Sequence, residues 1–133
     1  MLSKSRIYLD AAQQLINTQK TELMSCSIAY SYYAVLLYMK FVLNTTSKSP
    51  IIYTDQDWPD ENHHKRVLQE IVNRISDDKK GRGFKDRVNA LHLKRVEADY
   101  EDNLYTAEEA IDFRNEAISL IAVLKNLFGN LEP

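Results

Sequence analysis

The sequence predicts an all-α protein, an antiparallel bundle of four to five helices that forms one domain over residues 1–133. The chain contains only three glycines and three prolines, so the residues that most often interrupt helices are scarce. Apolar residues recur three and four positions apart along much of the chain. The 17 residues from Leu23 to Met39 carry no charge, which predicts a central helix surrounded by other helices.

The first two helices and the loop after them follow from this hydrophobic pattern. The first helix is predicted over Ser3–Asn17 and the second over Glu22–Leu43. A long loop is predicted at about 44–61, where the pattern stops and Pro50 and Pro59 occur. A loop of that length in a small domain is expected to be functional or mobile. The apolar stripe of the first helix consists of Tyr8, Ala11, Ala12 and Leu15.

Three further helices complete the predicted bundle. The third is predicted over Glu61–Ser76 and the fourth over Phe84–Tyr100, with a polar break at 77–83 that contains two glycines. The fifth begins after Thr106, the first residue of a Thr-Ala-Glu-Glu capping box whose side chains satisfy free backbone N–H groups. Gly129 is predicted to end this helix in a left-handed conformation.

Composition limits the function classes. The net charge is −2 and the isoelectric point about 5.9, so any binding to nucleic acid or an anionic membrane would need a local patch. Cys26, the single cysteine, is predicted to be a small core residue. No signal segment, P-loop, zinc site, Rossmann fingerprint or catalytic triad is visible. We therefore expect a cytoplasmic protein without a metal or another cofactor.

A polar cluster near the end of the fourth helix is the main candidate site. Arg95 and Asp99 are four residues apart and share one helix face. They form either an ordinary ion pair or a unit in which Asp99 orients the guanidinium toward a phosphate. Tyr100 either packs at the helix end or contacts a phosphate or base of a ligand. His64 is either a surface residue or a phosphate-binding or acid–base group.

Charge is distributed unevenly around this cluster. Seven basic residues and one acidic residue lie between positions 79 and 95, whereas positions 97–109 contain six acidic residues and no basic ones. A solvated loop would explain the basic segment. A local anion-binding patch, or two complementary patches that pair across a dimer, would explain the asymmetry.

A series of short sequence elements resembles, in identity and in order along the chain, the HEPN domain superfamily. The resemblance is narrower to the small stand-alone prokaryotic members of that superfamily. The resemblance covers most of the chain, from about residue 4 to residue 128. The matching elements are Ser-Ile-Ala-Tyr-Ser-Tyr-Tyr-Ala-Val at 27–35 with its pair Tyr32 and Tyr33, then Lys40, His64, Arg95 and Ala-Asp-Tyr at 98–100.

This resemblance implies a helical bundle that dimerises through the face carrying Arg95. Many HEPN members are ribonucleases with an arginine, four to six intervening residues and a histidine. Other members are partners of minimal nucleotidyltransferases in toxin–antitoxin pairs, or modules that bind RNA or nucleotides. Here Tyr100 stands where the histidine is expected, and no histidine follows His92. A phenol with a pKa near 10 is a poor general base at pH 7, which argues against the nuclease.

Three functions therefore remain open. The first is a homodimeric module that binds RNA or a nucleotide and acts beside a minimal nucleotidyltransferase. The second is a metal-independent endoribonuclease in which His64 or His92 replaces the missing histidine. The third is a non-catalytic dimeric assembly module in which the ion pair holds the dimer together. The predicted ligand-binding residues are Tyr33, Lys40, His64, Arg95, Asp99 and Tyr100.

Overall fold

Five α-helices make up most of the computed structural model, which describes residues 4–100 and 104–131. The all-α bundle predicted from the sequence is confirmed, and the described ranges contain no strand. Short 3₁₀ turns at Thr21–Leu23 and Tyr53–Asp55 precede the second and third helices. The helices are α1 (Lys4–Asn17), α2 (Met24–Thr45), α3 (Asp60–Asn73), α4 (Asp78–Tyr100) and α5 (Ala107–Phe128).

Helix α2 is the centre of the bundle, as predicted, because it packs against each of the other four helices. Residues from several sides of the helix are fully buried, among them Tyr32, Val35, Tyr38 and Met39. Each large apolar side chain buried in this way contributes roughly 1.5–3 kcal/mol. The part of the helix that its neighbours enclose is therefore apolar and uncharged.

Hydrogen bonds between side chains and backbone join the outer elements to this core. The Ser27 hydroxyl donates to the carbonyl of Ala12 at 2.9 Å, which fixes α1 on α2. The Arg114 guanidinium donates to the carbonyl of Leu9 at 2.9 Å, which joins α5 to α1. The loop over residues 46–59 is held on the bundle by Gln56, whose amide donates to the carbonyl of Lys40 at 3.0 Å.

The predicted break at 77–83 is wrong, because both of its glycines are inside α4. Helix α3 ends at Asn73 instead of Ser76, and α4 begins at Asp78 instead of Phe84. The Asp77 carboxylate accepts from the backbone N–H of Lys80 at 3.0 Å, which is an N-cap interaction. Gly81 is buried against α3, where a Cβ atom would lie 3.6 Å from Val72 Cγ1.

Cys26 is also placed differently from the prediction. It is exposed on the outer face of the first turn of α2, whose other face is buried through Met24 and Ser27. The capping box is confirmed, since Glu109 N–H donates to Thr106 Oγ1 at 3.0 Å and Glu109 Oε1 accepts from Thr106 N–H at 3.1 Å. Gly129 has the positive φ expected, +81°, but its ψ of 170° is extended and not left-handed helical. Ser3, the predicted first helical residue, lies outside the described residues.

One segment, Thr21–Thr45, is long and apolar enough to cross a membrane by length and composition alone. Of its most apolar 18-residue window, 61% is buried inside the bundle. The core helix of a bundle meets the same criterion.

The position of Gly83 inside α4 gives a test of the corrected helix boundary. A Cβ atom at Gly83 would meet nothing within 4 Å, and alanine favours the helix more than glycine does. We expect Gly83→Ala to raise the free energy of unfolding by roughly 0.5–1 kcal/mol in urea denaturation. Gly129→Ala is the control and should lower it, because its φ of +81° disfavours an L side chain. A loss of stability in Gly83→Ala would contradict the helical assignment.

Candidate functional site

A cleft of about 770 Å³ lies between α2, α3 and α4. Polar side chains from all three helices meet in it. Helix α4 contributes Asn89, His92 and Arg95, which are three residues apart and therefore project from neighbouring positions of one face. The other helices contribute Tyr32 and Tyr33 from α2 and His64 from α3, and Tyr100 lies at the end of α4.

His64 is hydrogen-bonded at both ring nitrogens. The Tyr32 hydroxyl lies 2.5 Å from Nδ1, and Asn89 Oδ1 lies 3.2 Å from Nε2. Burial raises the pKa of the Tyr32 phenol, so the hydroxyl keeps its proton and donates it to Nδ1. Burial also lowers the pKa of His64 below its usual 6.5, so the ring is neutral at pH 7. Its one proton is then on Nε2 and is donated to Asn89.

His92 stacks on His64 inside the cleft. The ring centroids are 3.8 Å apart and the planes differ by 16°. Burial, with contributions from His64 and Arg95, lowers the pKa of His92 to about 4. The Nδ1 atom of His92 is buried and has no hydrogen-bond partner. The stack therefore holds two neutral imidazoles near pH 7, one of which has an unused polar atom.

Arg95 forms one wall of the cleft. Its guanidinium carbon lies 5.1 Å from the ring centroid of Tyr32 and 5.4 Å from that of Tyr33, which is cation–π geometry. Nη1 donates to Asp99 Oδ2 at 2.9 Å, so the expected ion pair is present. The Arg95 side chain is only 16% exposed, and its Nε is buried without a hydrogen-bond partner. Its position is thus fixed by three neighbours while part of its donor capacity is unused.

Carboxylates and an aromatic ring lie at the rim of the cleft. Asp60 and Glu61, in the first turn of α3, belong to the lining and are exposed. Their charges balance those of Lys65 and Arg95, so the lining is close to neutral while the imidazoles are uncharged. Tyr100 is 78% exposed and presents a ring face to any ligand that enters. The cleft is therefore suited to one anionic group held by Arg95, beside a flat group stacked on the ring.

Five of the six predicted binding residues lie in or beside this cleft, and Lys40 is the exception. Tyr33, His64, Arg95 and Tyr100 line it, and Asp99 reaches it through its ion pair with Arg95. Lys40 is not among the lining residues, because it lies nearly two helical turns beyond Tyr33 along α2. Burial, and to a smaller extent Lys4, lowers the pKa of its ammonium.

Sequence reasoning missed Asn89, and it missed Tyr32 as a site residue. Tyr32 was predicted only as part of the helix-two motif, and His92 only as a replacement for the missing histidine. The spacing of three residues between Asn89, His92 and Arg95 is the sequence signal that would have identified Asn89 and His92 as site residues. The contacts with His64 come from the packing of α3 on α4, which the sequence does not specify.

The cleft does not have the donor set of a metal site. No group of three or more metal-binding side chains occurs within residues 4–100 and 104–131. The two nearest candidates, His64 and His92, present stacked ring faces to each other instead of two convergent nitrogen atoms.

Comparisons with protein-family models, with curated proteins and with solved structures give no match to this chain. The HEPN assignment therefore rests on the sequence elements quoted above and stays a prediction.

The histidine stack makes stability depend on pH. His92 faces Tyr32 on α2, His64 on α3 and Arg95 on its own helix. Its pKa is about 4 in the folded protein against a usual 6.5, so between these values only the unfolded chain binds the proton. His92 therefore leaves the free energy of unfolding unchanged above pH 6.5. This free energy decreases as the pH falls from 6.5 toward 4, because protonation then favours the unfolded chain.

We expect the urea midpoint to fall between pH 7 and pH 5, and to fall less in His92→Gln than in the wild type. His63→Gln is the control, because His63 contacts the carbonyl of Trp58 instead of the stack. An NMR titration of the ring protons should place the midpoint of His92 near pH 4. A His92 midpoint at 6.5 or above would contradict the buried stack.

Proposed function

We propose that this chain is a HEPN-type protein that binds RNA or a nucleotide in the cleft between α2, α3 and α4. The observation that carries the proposal is the position of Arg95, whose guanidinium lines an open polar cleft beside two imidazoles. A planar guanidinium is the group best suited to hold a phosphate through two parallel hydrogen bonds. The resemblance to HEPN proteins supports the same ligand class.

Three of the predicted residues, Arg95, Asp99 and Tyr100, then have a defined part in binding. Asp99 occupies one terminal nitrogen of Arg95 and keeps the side chain over the tyrosine rings, which leaves the rest of the guanidinium for a phosphate. The buried Nε of Arg95 and Nδ1 of His92 are closed to solvent, so the ligand would contact the terminal nitrogens of Arg95 instead. Tyr100 stacks on a base of the ligand.

Assembly and location are part of this proposal. Leu93 and Tyr100 lie seven residues apart on α4, share one face and are 60% and 78% exposed. These exposed apolar side chains support a homodimer formed through this face of α4, which differs from the face that carries Arg95. A minimal nucleotidyltransferase as partner, in a toxin–antitoxin-like pair in the cytoplasm, is supported by the HEPN resemblance alone.

Binding by Arg95 is tested with the purified protein and two ligands, a short RNA and a nucleoside triphosphate. We expect Arg95→Ala to weaken binding roughly 10- to 100-fold, because a charged hydrogen bond to phosphate contributes about 1.5–3 kcal/mol. Arg82→Ala is the matched control, since Arg82 is exposed on α4 outside the cleft. Circular dichroism would verify that each variant is folded.

The same variants separate binding from assembly. If Arg95→Ala changes only the monomer–dimer equilibrium in sedimentation velocity, and neither protein binds either ligand, the non-catalytic assembly module is the correct function. Equal and negligible binding by the wild type and Arg95→Ala would contradict the ligand site.

A metal-independent endoribonuclease is the second candidate, and the position of the neutral His92 in the cleft lining beside Arg95 favours it. An imidazole that is neutral at pH 7 can take the proton of a ribose 2′-hydroxyl, whose oxygen then attacks the adjacent phosphorus. The 5′-oxygen leaves with a proton from water, so the products carry a 2′,3′-cyclic phosphate and a 5′-hydroxyl. His92 suits this step better than His64, whose two nitrogens are already hydrogen-bonded. The proton would go to Nε2 of His92, because Nδ1 is buried, and with a pKa of about 4 the ring is a weak base.

This candidate predicts cleavage of structured RNA in the presence of EDTA. His92→Gln should lower the rate by on the order of 100-fold or more, as the loss of a general base does. Lys20→Ala, in the exposed turn before α2, is the control and should cleave like the wild type. Intact RNA in every sample would exclude the nuclease and leave binding as the function.

A further inference from the structure

The cleft continues into a second depression between α3 and α4. This α3–α4 groove has a volume of about 400 Å³ and shares Asn62, Lys65 and Asn89 with the cleft. Arg66, Gln69 and Lys85 belong to the groove alone. Asn89, which holds His64 in the cleft, therefore stands where the two depressions meet.

The lining of the groove is positively charged, whereas the lining of the cleft is nearly neutral. Its lining contains three cationic side chains, Lys65, Arg66 and Lys85, and no carboxylate. The lining of the cleft is nearly neutral, because Asp60 and Glu61 offset its two cations. A polyanion anchored at Arg95 is therefore attracted along α4 toward Lys85 and repelled from the first turn of α3.

We infer that the α3–α4 groove is a continuation of the binding site, and that the ligand is a single-stranded oligoribonucleotide of several residues instead of a mononucleotide. The inference rests on the proposed function and names its substrate class. One nucleotide would fill the cleft at Arg95, and the neighbouring phosphates would lie along the groove.

The dimensions of the path agree with a short strand. Lys85 and Arg95 are ten residues apart on α4, or about 15 Å along the helix axis, which is longer than one nucleotide. Single-strand sites commonly combine such a basic track with an exposed aromatic ring, and their smallest sizes are about four nucleotides. The side chain of Arg66 is 57% exposed and its ion pair with Glu70 is long, 3.7 Å, so its guanidinium is accessible to a phosphate.

The test compares uridine 3′-monophosphate with the tetranucleotide UUUU by NMR titration of the labelled protein at several salt concentrations. We expect the wild type to bind the tetranucleotide at least about tenfold more tightly, because added phosphates release counterions from the groove. The double variant Arg66→Gln, Lys85→Gln should lose this advantage and reduce the salt slope by about 1.4, near 0.7 for each lost phosphate contact. Its affinity for the mononucleotide should not change.

Lys79→Gln, Lys80→Gln is the matched control, because it makes the same change of charge on α4 but outside the groove. It should retain the tetranucleotide advantage. Equal affinities of the wild type for both ligands, or an equal loss in the two double variants, would overturn the groove while leaving the cleft intact. Failure of the wild type to bind either ligand would contradict the proposed function itself, and the groove with it.

Discussion

The hydrogen bond between the Tyr32 hydroxyl and His64 determines how the site is built. Tyr32 is fully buried in the central helix, and a buried phenol requires a partner for its hydroxyl. That partner comes from α3, so packing α3 on α2 brings His64 inward from the start of its helix. The opposite nitrogen of the ring then meets Asn89, and its face meets His92. One core tyrosine thus connects three helices to one polar cluster.

Arg95 gives this cluster its electrostatic character. A fixed guanidinium beside the imidazoles disfavours their protonation, in the same direction as burial. Besides the exposed Lys65, the positive charge of the cleft therefore stays on Arg95, whose direction is set by Asp99 and by the rings of Tyr32 and Tyr33. A site of this kind holds one anionic group in a defined place. The additional cations lie outside it, in the α3–α4 groove, where they act on the rest of a longer ligand.

The sequence predicts the helices better than it predicts the site, for physical reasons. Periodicity identifies α2, α5 and the apolar face of α4, because burial depends directly on residue type and spacing. The two glycines of α4 do not end the helix, because Gly81 packs on α3 and the exposed Gly83 costs only about 1 kcal/mol of helix propensity. The pair Arg95 and Asp99 is local and could be predicted. The stack of His64 on His92 joins two helices, and only the three-dimensional packing determines it.

The geometry of the cleft supports a ligand independently of the HEPN resemblance. A bundle of this size gains most from an apolar interior, and buried polar groups without partners lower its stability. Here Nδ1 of His92 and Nε of Arg95 are buried and unpaired, in two side chains that line the same cleft. Apolar residues at these positions would avoid that cost, so packing alone does not account for them. A phosphate would accept from the terminal nitrogen of Arg95 that Asp99 leaves free, so a ligand accounts for the charged side chain in the cleft lining.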